Sequence, residues 1–532
     1  MTRSTFHRLF SSDTPPSGIG TIPFVEPPSE IIPLRTGSLR ATLLNRPKAL
    51  NALSLSMMKS LTNHLTDFDR DLTGMALMIS KYGECRAFCS GGDAKSVATY
   101  LSSGDEQGKA SAYEVLTTLY KTCHAIGTLN TPLVVVMDGY TMGGGLGLSV
   151  HAPIRVATEN TSIWVPEGSI GLFPDSGVAW FLARGIDGPA VGSYLALTGR
   201  KINGMEAVLS GFATHFVPSD RLPAMIDALS DLRTTDLRVI DSVIEDFVGN
   251  APSVDEWSNW AISGDVRDGI ERCFNSASLG SIVKALDAEN SLWSSETLKS
   301  MQAQSPTAMK VTAELVHRAQ KLDFASFMKL EQRLAWFFTH TVKDFATGTA
   351  ASRLQSKQES VPAWSPTWEE VIDGIAFTDN DVKIVFGDQD AKIPEDALLP
   401  PLTTQPTLYN TKTFQNYIGH TVVGVPSEED VRKFITGEAS GAGSFAFTRT
   451  ELIDWFAANW GAFLDQEHLT PISVIDGSGT GGSRYIDPNY DEVHGLGAGG
   501  RRKRERWGVR QRIESVVNRR CSEKDGYLKW KG

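Results

Sequence analysis

Two strand-then-glycine units constrain this chain more than anything else in it. In the second, Leu133-Val134-Val135-Val136-Met137 is a short apolar run, rich in β-branched residues and bounded by Pro132 and Asp138-Gly139. Such a run reads as a buried strand. Gly143-Gly144-Gly145 follows and leads into Leu146, Leu148 and Val150. Glycines there let the backbone approach a ligand closely, and they open a helix whose first N–H groups favour negative charge. The first unit has the same logic: Met75-Ala76-Leu77-Met78-Ile79, a polar loop, then Gly91-Gly92-Asp93 at the end of FCSGGD. Two such turns can each aim one N–H at one developing oxyanion, and a donor of that kind is worth about 3 kcal/mol in the transition state. A lone glycine pair or triplet is more often a tight turn. The weight here comes from the pair together with two carboxylates downstream, Glu167 and Asp175 in VPEGSIGLFPD.

The same segments resemble a known family. AFCSGGD, YTMGGGLGLSVHAPIRVATE, VPEGSIGLFPDSG and LALTGRKINGMEAVLSGFATHFVP are similar to the crotonase superfamily, and within it to the 3-hydroxyisobutyryl-CoA hydrolases. LLNRPKALNALSLSMM resembles that family's opening strand and its loop for CoA, and QSPTAMKVT and LEQRL its C-terminal helices. The likeness spans roughly residues 38 to 365. It implies an α/β fold, a spiral of ββα repeats followed by helices over the active site. It also implies roles: Gly92 and Gly144 as oxyanion donors, Glu167 as the carboxylate that attacks the thioester or activates water, and Asp175 as the holder of the substrate hydroxyl. The CoA portion would run past Lys48 to Asn51. No metal or separate cofactor is implied, since CoA is part of the substrate.

Two departures sharpen the reading. Enoyl-CoA hydratases use two glutamates, and the first falls here on Gly147, which cannot act as a base; hydrolysis needs only one placed carboxylate. Counting back without gaps from Met142, the helix glutamate that the hydrolases set over the site falls on Leu119. Val115, Leu116, Leu119, Tyr120, Cys123 and Ile126 have helical spacing, so Leu119 is expected to point inward. Glu114 lies about 140° away around that helix and is a poor substitute.

The remaining chain sets context. With 532 residues, 41% hydrophobic, and a net charge of -11, the chain can hold two or three domains, and its overall charge does not call for nucleic acid. The five cysteines are scattered, and Cys85 and Cys89 have no matching second pair, so buried or free thiols are expected rather than zinc or disulfides. No apolar run is long enough to span a bilayer. Met1 to Ser12 carries Arg3, Arg8, several hydroxyl residues and no acid, the composition of a mitochondrial matrix address; the alternative is an unstructured tail. The expected division is 1–37 address and linker, 38–225 spiral core, 226–360 helical region, and 361–532 C-terminal extension.

That extension has helix starts at Ser427-x-x-Asp430 and Thr448-x-x-Glu451, then a glycine-rich linker from Gly477 to Gly500. Its tail concentrates arginine: Arg501, Arg502, Arg504, Arg506, Arg510, Arg512, Arg519 and Arg520, with Lys503. Val509, Ile513, Val516 and Val517 fall at i, i+4, i+7 and i+8, one buried stripe on a basic helix. Two readings stand open, a surface for RNA phosphates and a helix closing on the acidic body. A hydrolase-like body with a mitochondrial address and a long basic extension also resembles the hydrolase-related proteins of the mitochondrial small ribosomal subunit. That likeness implies ribosomal RNA as a partner beside, or instead of, an acyl-CoA substrate.

Overall fold

The chain winds through two sheets in turn. In the computed structural model, residues 29–531 are described except 70–73, 81–84, 186–187, 355–361, 389–423, 440–445, 461–495, 498–500 and 503–506. The expected mitochondrial address and nearly all of the glycine-rich linker lie outside the described residues. β1 (Ile31–Thr36) and β2 (Leu39–Leu44) pair antiparallel. From β2 the larger sheet continues in parallel through β3 (Ala76–Ser80), β5 (Leu133–Met137), β7 (Ile154–Ala157) and β10 (His215–Phe216). Between these strands the chain drops to a smaller sheet, where β4 (Ala87–Cys89), β6 (Tyr140–Met142) and β8 (Ser162–Trp164) run parallel and β9 (Ile202–Asn203) closes antiparallel. This is the expected spiral.

Why β5 is apolar throughout follows from its position. All five of its residues are buried. Leu133, Val135 and Met137 face the main core, while Val134 and Val136 face a second core beneath helices Leu222–Asp231 and Leu237–Ile244. A parallel strand covered on both faces has no polar side to show.

Helices cover the smaller sheet. We number those the site depends on: α1 (Glu106–Gly127), α2 (Gly144–Ser149), α3 (Pro306–Ala319) and α4 (Phe324–His340). Along α1 the six residues with helical spacing are all buried. At α3 the Ser305 hydroxyl accepts from Ala308 N at 3.0 Å and Pro306 takes the first turn, where its missing N–H costs nothing. The body does not stop near 361. Val382, Val385 and Phe386, on helix Asp379–Phe386, join the main core, and Arg333 donates to the carbonyls of Ile384 and Val385 at 2.8 Å. Apolar contact with α4 carries the body to Asp388, which accepts from Arg318 at 2.8 Å.

The extension builds a core of its own. Both capping boxes form, at Ser427/Asp430 and Thr448/Glu451. α5 (Val509–Arg520) turns Val509, Ile513, Val516 and Val517 onto Val431, Leu452 and Phe456, and a hairpin of Cys521–Lys524 with Tyr527–Trp530 completes the unit. Its arginines, however, are not all outward. Arg512 is buried, donates to Pro426 O at 3.2 Å and lies 5.7 Å from the Trp257 ring. Arg510 pairs with Asp454, Arg519 with Asp268 and Arg520 with Glu271, at 3.0 to 3.3 Å. The tail helix closes on acids of its own chain. All five cysteines are free thiols, and among the described residues no helix is long and apolar enough to cross a membrane.

Candidate active site

Parallel pairing brings the two glycine turns together. β4 pairs with β6 through Ala87↔Tyr140 and Cys89↔Thr141, and β6 with β8 through Met142↔Trp164, so three neighbouring strands end at one edge. Gly91-Gly92 leaves β4, Gly143-Gly144 leaves β6, and Glu167 comes three residues after β8. Gly91 and Gly143 have φ of 91° and 52°, a region that side chains disfavour. Space is equally restrictive: a Cβ at Gly91 would lie 3.1 Å from Gly144 N, and one at Gly144 3.3 Å from Gly92 N. A Cβ at Gly143 would lie 3.4 Å from Glu167 Oε1, whereas one at Gly92 would meet nothing within 4 Å. Gly92, Gly144 and Glu167 therefore surround one small space. Among the described residues neither the Gly92 nor the Gly144 N–H is spent on a backbone acceptor.

The carboxylates are unusual in their surroundings. Glu167 opens a short 3₁₀ turn, Glu167–Ile170, and is buried. Among the described residues neither of its carboxylate oxygens has a hydrogen-bond partner. Burial first, then the neighbouring Asp175, hold its pKa well above the usual carboxylate range. Asp175 is also buried, and burial pushes its pKa up to about 6, opposed by the Ser176 hydroxyl, which donates to it at 3.0 Å, and by Tyr120 beside it. Buried carboxyls with raised pKa beside free backbone donors are the groups from which acid–base sites are built.

Leu119 does face this space. A Cβ built on Gly144 would come within 2.7 Å of Leu119 Cδ2, so an alkyl group lies against the oxyanion turn. Glu114 is on the surface, paired with Lys59 at 2.9 Å. At Gly147 any Cβ would lie 2.5 Å from Ser176 Cβ and 2.8 Å from Cys123 Sγ, so packing, as well as sequence, denies the site a second glutamate there.

The loop expected to meet CoA is partly committed elsewhere. Asn51 is fully buried; its Nδ2 donates to Ala87 O and Phe88 O at 3.1 and 3.0 Å, and its Oδ1 accepts from Arg46 N at 2.8 Å. That side chain sews the loop to β4, and the backbone is engaged as well: Asn51 N donates to Arg46 O at 3.0 Å and Asn51 O accepts from the Cys89 thiol at 3.2 Å. Lys48 is exposed on the turn Pro47–Ala49.

One member of the site escaped the sequence reading. Glu331, on α4, is fully buried and accepts from Gly177 N, two residues past Asp175. The signal was available: an acid set among Phe327, Met328, Leu334 and Ala335, all on one buried helix face. Elsewhere, His215, Asp241 and Glu245 bring ligand-capable atoms within 4.8 Å of one another, with His215 Nε2 at 3.0 Å from Asp241 Oδ1. That group hangs from β10 and the helix Leu237–Ile244, away from the elements that carry the carboxylate site.

A two-sheet spiral with paired glycine turns at its strand ends is a crotonase fold, and the comparisons agree. The sequence profile of the enoyl-CoA hydratase/isomerase family matches residues 39–376. The chain belongs to that family. It is 33% identical over 435 residues to small ribosomal subunit protein mS47 of Neurospora crassa, covering 79% of this chain and 80% of that protein. It is 32% identical over 366 residues to the mitochondrial 3-hydroxyisobutyryl-CoA hydrolase of Gallus gallus, covering 69% of this chain and 91% of that one. Among solved structures, a carnitinyl-CoA dehydratase from Mycobacterium thermoresistibile superposes with a TM-score of 0.58 at 27% identity, covering 71% of this chain and 99% of that one.

Proposed function

We propose that this chain hydrolyses short 3-hydroxyacyl-CoA thioesters, 3-hydroxyisobutyryl-CoA foremost, to CoA and the free acid. The observation that carries the reading is Glu167: a buried carboxyl without a hydrogen-bond partner, beside two uncommitted glycine N–H groups, with no room for a second glutamate at Gly147. The thioester oxygen sits between Gly92 N and Gly144 N, which strengthen their hold as it becomes negative. Glu167, once ionised, attacks the carbonyl carbon or takes a proton from water that does so. The tetrahedral intermediate then expels the CoA sulfur, which leaves as the thiol after gaining a proton; where Glu167 itself attacked, water next cleaves the mixed anhydride, giving the free acid and restoring the carboxylate. Asp175 accepts the substrate hydroxyl, and analogues without one leave that buried acceptor unpaired. The scheme uses thioester, water and protein groups, with neither metal nor separate cofactor. Release of free thiol is the test, with 3-hydroxyisobutyryl-CoA against crotonyl-CoA; faster consumption of the unsaturated thioester would reject the hydrolase assignment.

A second role is supported by the ribosomal relatives. The Neurospora ribosomal protein aligns over 435 residues and that of Schizosaccharomyces pombe over 338, a range that brackets the 366 of the Gallus hydrolase. On this reading the chain is a component of the mitochondrial small ribosomal subunit, its basic tail meeting ribosomal RNA in the matrix. The two roles are compatible. Sedimentation with the small subunit at low salt, and steep release as salt rises, would support it; a free soluble species at low salt would remove the support.

A further inference from the structure

Glu331 lies in the middle of α4 and is completely buried among apolar side chains. A carboxyl in such a place is costly unless its polar atoms are used. They are used on the backbone of one turn, chiefly at Gly177 and also at Ser176. Both oxygens lie 3.0 Å from Gly177 N, 154 positions away in sequence. The same peptide group is held at its other end, where the Ser176 carbonyl accepts from His151 Nε2 at 2.9 Å. Burial pushes the His151 pKa down to about 4, so at neutral pH the ring is uncharged and carries its proton on Nε2.

The clamped peptide needs holding. Ser176 and Gly177 have φ of 62° and 76°, two successive left-handed residues of which the first has a side chain. A conformation of that kind persists only when its surroundings fix it. No side chain fits at position 177, because a Cβ there would sit 2.5 Å from His151 Nε2 and 2.8 Å from Phe324. Asp175 is the residue that enters this turn.

We infer that Glu331 is a positioning residue of the acyl site: through the Ser176–Gly177 peptide it fixes where the Asp175 carboxylate points, and so governs discrimination of the acyl hydroxyl. The kinetic part of this inference rests on the thioesterase reading; the structural part does not. The titratable groups facing Glu331 are Tyr120 and Cys123 from α1, Asp175 and Glu167 from the site, and His151 at the far end of the peptide. Burial first, then the Asp175 charge, raise the Glu331 carboxyl well above the usual carboxylate range. Glutamine keeps the shape of Glu331 and one oxygen that can accept from Gly177 N. Leucine has the bulk and no acceptor.

The experiment follows Asp175 in the full-length, unliganded protein by carbon-detected titration of its carboxyl, assigned through loss of the signal in Asp175→Asn. Glu331→Gln should leave the midpoint within about half a pH unit of wild type. In Glu331→Leu the freed turn should let the midpoint fall toward the ordinary aspartate value by about one unit. With substrate, the leucine variant should lose about tenfold in discrimination between 3-hydroxyisobutyryl-CoA and isobutyryl-CoA, expressed in KM, while glutamine retains it. A leucine variant with wild-type titration, or a glutamine variant as disturbed as leucine, overturns the inference. Should Glu331→Leu fail to fold, the glutamine variant still decides, because a moved midpoint there contradicts the assignment. If wild type releases no thiol at all, the functional reading fails while the titration still judges Glu331.

Discussion

Glu167 combines burial with two carboxylate oxygens that lack a hydrogen-bond partner among the described residues, and burial together with Asp175 disfavours its ionised form. A base in that condition must lose its proton before it works. The rate of hydrolysis should therefore climb as pH rises past the ordinary carboxylate range, and a profile falling over that interval would contradict the role. Glu167→Gln keeps shape and loses the base, and kcat should drop about 10²–10⁴-fold. At Gly144 the smallest side chain meets Leu119 and the Gly92 nitrogen, so Gly144→Ala should cost about 10²–10³ in kcat by displacing one oxyanion donor. Asp175 carries a different cost. Its folded pKa of about 6 exceeds the ordinary 3.8, so between those values the native state binds more protons and stability falls as pH rises. Above that window the penalty is fully present, about 3 kcal/mol at most. Asp175→Asn should accordingly be more stable than wild type by about 1–3 kcal/mol at pH 7, with the difference vanishing near pH 4, as read by chemical denaturation. Equal stability at both pH values would show that Asp175 is paired rather than strained.

Elements differ in how far their neighbours in sequence determine them. The glycine turns were legible because strand, turn and helix start lie within a dozen residues and each obeys a local rule, and because parallel pairing of β4 with β6 then sets the turns side by side. The helical spacing along α1 likewise placed Leu119 inward. Glu331 was not legible, since what makes it useful is a peptide 154 positions away. The continuation of the body past 361, where the extension was expected to begin, was hidden for the same reason: Val382 and Phe386 have α4 to pack against. For α5 the buried stripe followed from period alone, whereas the fate of its arginines depended on acids at 268, 271, 428 and 454. Ile513 is fully buried in the extension's own core. Ile513→Ala should cost that core about 2–4 kcal/mol. Hydrogen exchange should then quicken in α5 and in helix Arg449–Asn459 while the strands of the body stay protected. Loss of protection in the body as well would mean that the two cores unfold as one.

For the whole molecule, the spiral supplies a rigid edge on which two backbone donors and a carboxylate meet, and the extension closes on the body through arginine–carboxylate pairs. Exposed pairs of that sort are each weak and are screened by salt. The apolar core under α5 is the firmer bond, so the extension should stay folded at salt concentrations that would strip phosphates from its remaining basic residues. The two proposed roles would draw on different surfaces of one chain, so catalysis can be measured without ribosomal attachment. The most direct test is free-thiol release from the purified full-length protein. The account predicts turnover of 3-hydroxyisobutyryl-CoA that rises with pH, disappears in Glu167→Gln and leaves crotonyl-CoA nearly untouched. Preferential consumption of crotonyl-CoA, or turnover that survives Glu167→Gln unchanged, would contradict it.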